Sequence, residues 1–197
     1  MIKLGITGGI GSGKSYFSRL LQQRNIPVYD TDSRAKVLIN THSVIRKALV
    51  SLLGEDVYLP DGTLNKKKLA DYLFSCKANA ARINSIVHPR VKDDLDEWFA
   101  FHKEKEFVAV ESAILYESGL DAMVDKVILV YAPEELRIRR AMSRDHATEA
   151  QIRARVASQQ NDEEKRERAD FIICNDGIAD LNAQIDLMLD ELSGKKL

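Results

Sequence analysis

Gly8-Gly9-Ile10-Gly11-Ser12-Gly13-Lys14-Ser15 satisfies the pattern GxxxxGK[ST] in full. A loop that binds phosphate needs these residue types. Glycines let backbone N–H groups turn inward around phosphate oxygens with no Cβ in the way. A helix opening at the end of the loop adds its positive N-terminus to the same anion. Lys14 supplies a charge beside the β- and γ-phosphates, and Ser15 a hydroxyl for Mg²⁺. The nucleotide contacts expected here are Gly9, Gly11, Ser12, Gly13, Lys14, Ser15 and Tyr16. Lys14 also acts in catalysis, and Ser15 is the metal ligand. The small molecules implied are ATP and Mg²⁺.

Phosphoryl transfer also needs an acceptor side. Tyr29-Asp30-Thr31-Asp32 ends a short apolar run, and in a parallel sheet the C-terminal strand ends open into one crevice. Carboxylates there can hold Mg²⁺ through water or take the proton of an acceptor hydroxyl. The alternative is capping of a helix that starts near Ser33. Asp32 is the chosen general base. Phe107–Glu111 (FVAVE) is an apolar run ending in an acid, so Glu111 is placed to reach Mg²⁺ through water or to contact substrate. Glu117 is a weaker candidate.

Arg137, Arg139, Arg140 and Arg144 are followed by Arg153, Arg155, Arg166 and Arg168. Mobile arginines on a helical lid can clamp a transferring phosphoryl group and keep water out. The interleaved Glu134, Glu163, Glu164 and Glu167 make solvated i,i+4 pairs the better reading for most of them. Arg140 is assigned to catalysis and Arg144 to ATP. His88-Pro89-Arg90 breaks a helical pattern. Proline disfavours helix at the residue before it, so His88 is expected at a junction, where it and Arg90 can meet an anionic substrate. A buried structural histidine is the alternative.

The elements that must carry these residues alternate. Ile2–Thr7 reads as a buried strand, Lys14–Arg24 as a helix and Pro27–Tyr29 as a second strand, a βαβ unit that implies a parallel sheet. Residues 33–105 are almost entirely helical, with turn signals at Gly54 and Pro60-Asp61-Gly62, and form an insertion outside the sheet. Phe107–Glu111, Lys126–Tyr131 and Asp170–Cys174 are further strands. Pro133–Arg144 and Glu149–Arg168 are helical. Asn175-Asp176-Gly177 closes the last strand before an amphipathic helix through Ile185, Leu187, Met188 and Leu192. The fold class is α/β: a phosphate-loop kinase core with a five-stranded parallel sheet, a helical insertion and a lid.

Bulk properties exclude other classes. The 197 residues are 45% hydrophobic and 30% charged, ordinary for one globular α/β domain. A net charge of −1 gives no surplus for non-specific nucleic-acid binding. No apolar run reaches the roughly 18 residues of a membrane helix. Cys76 and Cys174 lie far apart, as free thiols in a reducing compartment would. The N-terminus runs straight into the loop motif, leaving no room for a signal peptide. These features point to a soluble cytoplasmic protein with no membrane or nucleic-acid partner. A guanine-nucleotide switch is disfavoured by the lack of an NKxD motif, and a nucleoside or nucleoside monophosphate kinase is the nearest rival enzyme.

Assembled, these residues resemble the dephospho-coenzyme A kinase family over nearly the whole chain. The resemblance lies in ITGGIGSGKS, YDTD, INSIVHPRV, ESAILYE, RRAMSRD and the run Arg155…Gln159…Arg166…Ala169-Asp170…Asn175-Asp176-Gly177. It implies transfer of the ATP γ-phosphate to the ribose 3′-hydroxyl of dephospho-CoA, with Asp32 as the base. Asn175 and Gly177 would border the adenine. Asp32, His88, Arg90, Glu111 and Leu115 would meet the acceptor. It also implies a core of 1–32, 106–136 and 169–197, a substrate domain of 33–105 and a lid of 137–168. A monomer or small homo-oligomer is expected. The family usually reads DxPLLFE where this chain has Glu111-Ser112-Ala113-Ile114-Leu115-Tyr116-Glu117. Glutamate keeps the charge with one more methylene, and alanine for proline frees φ and restores an N–H.

Overall fold

The computed structural model describes residues 1–194, and of Phe74 and Lys77 the backbone alone. In chain order its elements are β1 (Ile2–Thr7), α1 (Lys14–Gln23), β2 (Val28–Asp30), α2 (Thr31–Thr41), α3 (Ser43–Leu53), α4 (Lys66–Ser75), α5 (Lys77–Phe101), β3 (Phe107–Glu111), β4 (Lys126–Tyr131), α6 (Glu134–Asp145), α7 (Glu149–Ala157), α8 (Asp162–Arg168), β5 (Phe171–Cys174) and α9 (Leu181–Leu192). The strands form one five-stranded sheet in the order β2-β3-β1-β4-β5. The pairs β1–β3, β1–β4 and β4–β5 are parallel. The expected sheet is therefore present, with each expected strand in place to within a residue.

Parallel pairing requires crossovers, and the crossover helices cover the sheet. Strand alternation decides which side chains they meet. Leu4 and Ile6 of β1 join Ala109, Ile128, Val130 and Ile173 on one face, under Phe17, Leu20 and Leu21 of α1 and Leu181, Ile185 and Met188 of α9. On the other face Gly5 leaves room for Leu115 and Val124. The register sets Ile6 beside Glu111 and Thr7 beside Leu129, so the residues that leave β1 for the glycine loop start level with the acid that ends β3.

The chain divides into two compact units. One comprises Met1–Tyr29 with everything from His102 onward, and the other is Asp30–Phe101. The second unit is built of helices α2–α5. Its first helix starts at Thr31, two residues earlier than expected, because Asp30 Oδ1 accepts the backbone N–H groups of Asp32 and Ser33 at 3.0 and 3.3 Å. The capping alternative thus holds for Asp30. An ion pair between Arg34 and Asp94, with Nε donating to Oδ2 at 3.0 Å, ties α2 to α5.

Two expectations need correction. His88 is not at a junction, because α5 runs unbroken through Pro89. Ile83, Val87, Val91, Leu95 and Phe99 recur every four residues and are all buried. Pro89 is exposed on the opposite side. Burial of that stripe outweighs the ~3 kcal/mol cost of an interior proline. The charged stretch 149–168 is not one helix either. It breaks at residues 158–161, where Asn161 caps α8 by accepting the N–H of Glu163.

His88 is half-buried, and burial, with Lys92 nearby, holds its imidazole below the usual histidine value. The unfolded chain binds this proton more readily than the folded one, so folding stability rises with pH through 6.5 and is lost as pH falls below it. His88→Gln is expected to flatten that slope. Urea midpoints measured on either side of histidine's ordinary value check it, and an unchanged slope counts against this placement of His88.

Candidate active site

The glycine loop leaves β1 as a chain of backbone groups that other elements hold from outside. At Gly8 a Cβ would run into the carbonyl oxygen of Val130 on β4. Gly11 and Gly13 have φ of 76° and 96°, in the left-handed region that favours glycine. Ser12 N–H donates to the Gly9 carbonyl at 3.1 Å, closing the turn. No side chain caps α1, and its first turn has no acid, so its positive end faces the loop uncompensated. Lys14 Nζ folds back over the loop, donating to the carbonyls of Gly8 and Gly9 at 2.8 and 3.2 Å.

Each flank of the loop is fastened. Ser15 Oγ donates to Glu111 Oε1 at 2.8 Å, and Glu111 is 9% exposed. The added methylene of glutamate reaches the hydroxyl directly. Ile10 packs into the small apolar cluster of Ile138, Ala141 and Ile152 on α6 and α7, and its N–H donates to Gln159 Oε1 at 2.9 Å. Asn175, buried at the end of β5, donates from Nδ2 to the Ser12 carbonyl at 2.7 Å. Its own carbonyl accepts Arg140 NH1 at 2.8 Å. Arg140 is thereby held beside the loop's last turn. Asp176 Oδ1 accepts the N–H groups of Ile178 and Ala179, which hold its carboxyl below the usual range. Gly177 follows in the left-handed region, with φ of 90°.

The segment after β3 is bound to α8. Lys165 is fully buried, with Nζ 3.5 Å from the Ala113 carbonyl and 3.7 Å from Glu117. Glu117 also accepts the N–H of Gln160 at 3.1 Å. Arg168 pairs with Asp121 at 2.9 Å and lies over the Tyr116 ring at 3.8 Å.

Other expected residues have different settings. Tyr16 is exposed, with Arg19 over its ring. Arg144 is exposed and paired with Asp145, which Arg155 also contacts. Arg153 meets Glu134, Glu135 and Glu149, as solvated pairing predicts. Leu115, expected among the acceptor contacts, is wholly buried with its side chain against Gly5. In the helical unit, Asp32 is exposed on the first turn of α2, and Arg90 pairs with Asp93 at 3.0 Å.

Sequence reasoning left Arg137 among the solvated arginines, which its burial corrects, and did not single out Lys165. Arg137 is 3% exposed and paired with Asp162 at 2.5 Å. The signal for it lay in the loop itself: GxxxxGK requires neither Gly9 nor Gly11, yet both are glycine.

Among the described residues no three acidic, histidine or cysteine side chains gather as a metal cage. A hydroxyl–carboxylate pair at the start of α1 suits Mg²⁺ carried largely by phosphate oxygens. The arrangement can hold a nucleoside triphosphate at its phosphates and present cationic groups to the terminal one.

Comparison with known proteins gives a consistent result. A family model described as dephospho-CoA kinase matches residues 2–180. The chain is 50% identical over 184 residues to a dephospho-CoA kinase of Bacteroides fragilis, covering 93% of this chain and 89% of that protein. Among solved structures it is similar to TT1252 of Thermus thermophilus, with TM-score 0.82, 31% identity, and 100% and 98% of the two chains covered. It is also similar to dephospho-CoA kinase from Campylobacter jejuni, with TM-score 0.73, 25% identity and 98% of each chain covered.

Asn175→Ala leaves the Ser12 carbonyl without its partner and is expected to cost about 1–3 kcal/mol. Urea denaturation measures the loss, and a change within a few tenths of a kcal/mol would show that the contact does not hold the loop.

Proposed function

The chain belongs to the dephospho-CoA kinase family, and from that premise we propose how its residues divide the work. The reaction is transfer of the ATP γ-phosphate to the 3′-hydroxyl of dephospho-CoA, giving CoA and ADP. The observation that carries the division is the Ser15–Glu111 hydrogen bond at the foot of the glycine loop.

Backbone N–H groups of Gly9, Gly11 and Gly13 receive the phosphate oxygens, Ser12 shapes the turn between them through its N–H on the Gly9 carbonyl, and Lys14 turns its ammonium to the β- and γ-phosphates. Ser15 has committed its proton to Glu111, so the Oγ lone pairs remain for a cation. Mg²⁺, when bound there, neutralises charge between the two terminal phosphates. Glu111 thus orients the metal ligand and also borders the acceptor. Arg140 spreads positive charge over the transferring group, with Arg144 and Tyr16 as further ATP contacts and Asn175 and Gly177 along the base. Asp32 takes the proton of the 3′-hydroxyl. His88 and Arg90 receive the acceptor's anionic groups. Positioning and charge stabilisation supply most of the rate.

The same proposal divides the chain into a nucleotide core (1–32, 106–136, 169–197), a substrate domain (33–105) and a lid (137–168). The protein would work in the cytoplasm as a monomer or small homo-oligomer. No helix among the described residues is long and apolar enough to cross a membrane.

Incubation with MgATP and, separately, dephospho-CoA, adenosine, AMP, CMP or no acceptor tests the reaction. ADP is expected only with dephospho-CoA, with CoA formed in step, and release with a nucleoside or nucleotide instead would overturn the acceptor. Two variants test the roles. Lys14→Ala is expected to lower kcat by about two to three orders of magnitude. Asp32→Asn should lower kcat by about 10²-fold or more with little change in the KM for ATP, and an equal loss in both would assign Asp32 to nucleotide binding instead.

A further inference from the structure

Arg137 belongs to the arginine cluster, yet its setting differs from that of its neighbours. Arg144, Arg153, Arg155 and Arg168 keep between 42% and 62% of their side chains exposed. Arg137 keeps 4%. An arginine is buried this deeply only against compensating charge. Asp162 supplies it at 2.5 Å, with Glu134 farther off at 3.8 Å. The Nε–H has no hydrogen-bond partner among the described residues, so the fit is not made for hydrogen bonding alone.

What the guanidinium touches is the glycine loop. A Cβ on Gly9 would overlap Arg137 NH1, and one on Gly11 would overlap the backbone carbonyl of Arg137. Gly11 also has a positive φ, which glycine alone would explain. Gly9 has no such φ, and its backbone accepts alanine. What excludes a side chain at Gly9 is the guanidinium, with Asp162 Oδ1 next nearest at 3.2 Å.

We propose that Arg137 is a positioning residue for the nucleotide phosphates: its guanidinium, packed on Gly9, holds the glycine loop in shape and masks the Asp162 carboxylate that would otherwise repel the phosphates. The inference rests on the reading of Gly8–Ser15 as the ATP site. Two physical effects act together. Packing on Gly9 removes loop conformations that phosphate would have to exclude on binding. Pairing cancels a negative charge a few ångströms from the loop, where solvent screens poorly. Through Asp162, the first residue of α8, the loop's shape is also tied to that helix.

The test uses Arg137→Gln, Gly9→Ala, the double variant Gly9→Ala/Arg137→Gln, and Arg137→Gln/Asp162→Asn. Gly9→Ala evicts the guanidinium without altering any charged residue. Arg137 also lines a cavity of about 420 Å³ with Tyr131, Glu134 and Gln160, so the displaced side chain has room and the fold should survive. Steady-state KM and kcat are measured for both substrates, with ADP affinity measured without acceptor and circular dichroism to establish folding.

Each single variant is expected to raise the KM for ATP and weaken ADP binding about tenfold, the scale of one charge-assisted contact. The KM for dephospho-CoA should move by less than about twofold. The Gly9→Ala/Arg137→Gln double should be no worse than the worse single, because both remove one contact. Asp162→Asn should recover part of the lost ATP and ADP affinity in the Arg137→Gln background, whereas a purely structural ion pair would recover folding stability with the ATP KM unmoved. An ATP KM within about twofold of wild type in Arg137→Gln, multiplying effects in the double variant, or no recovery with Asp162→Asn would each overturn the proposal. Lys14→Ala serves as the control: if it too is silent the loop reading has failed, and if it alone is inactive only the role of Arg137 has.

Discussion

A phosphate-binding loop is held together by what it lacks. Its N–H groups must converge on one point, so no apolar side chain of its own can fill that space, and its internal contacts are few: the Ser12 N–H on the Gly9 carbonyl, and Lys14 Nζ on the carbonyls of Gly8 and Gly9. Further stabilising contacts come from outside. Asn175 on the end of β5 holds Ser12, Gln159 holds the N–H of Ile10, the α6–α7 cluster holds its side chain, and Glu111 holds Ser15. These partners come from the end of β3, the residue after β5, helices α6 and α7, and the break between α7 and α8. The strand order places β1 in the middle, which is the position from which the following loop can be reached from both sides.

Much of this was legible in the sequence, because the strands are short, largely apolar runs with glycine, proline or acid close to their ends. The loop itself was legible for the same local reason. What escaped depended on tertiary contact. Pro89 reads as a break, but the buried stripe from Ile83 to Phe99 carries the helix past it. The break between α7 and α8 was hidden in a charged stretch with good helix formers, and it is the break that lets Gln159 turn back to Ile10. Leu115 reads as part of a substrate-facing motif and is core. Among eight similar arginines, nothing local distinguishes Arg137. Its partner Asp162 is 25 residues away and its contact Gly9 lies at the other end of the chain.

The departure at Glu111 and Ala113 is also intelligible. A longer acid reaches Ser15 Oγ at 2.8 Å, so the hydroxyl is oriented by the side chain that ends β3. Loss of a proline at Ala113 removes a backbone restraint, and tertiary contacts offset it. Lys165 holds the Ala113 carbonyl, Glu117 accepts from Gln160, and Arg168 bridges Asp121 and the Tyr116 ring. The segment is fixed by α8 in place of its own φ angle, so the conformation of the loop after β3 and the docking of α8 depend on one another.

The central claim is that the glycine loop is shaped by its neighbours before any nucleotide arrives. Residue-resolved amide exchange across residues 8–15, without nucleotide and with MgATP, tests it most directly. Slow exchange at the Ile10 and Ser12 amides without nucleotide is the predicted result, since these bond Gln159 and the Gly9 carbonyl, with the remaining loop amides slowing only when MgATP is added. Fast exchange at every loop amide until MgATP binds would mean that the nucleotide, and not the surrounding fold, gives the loop its shape.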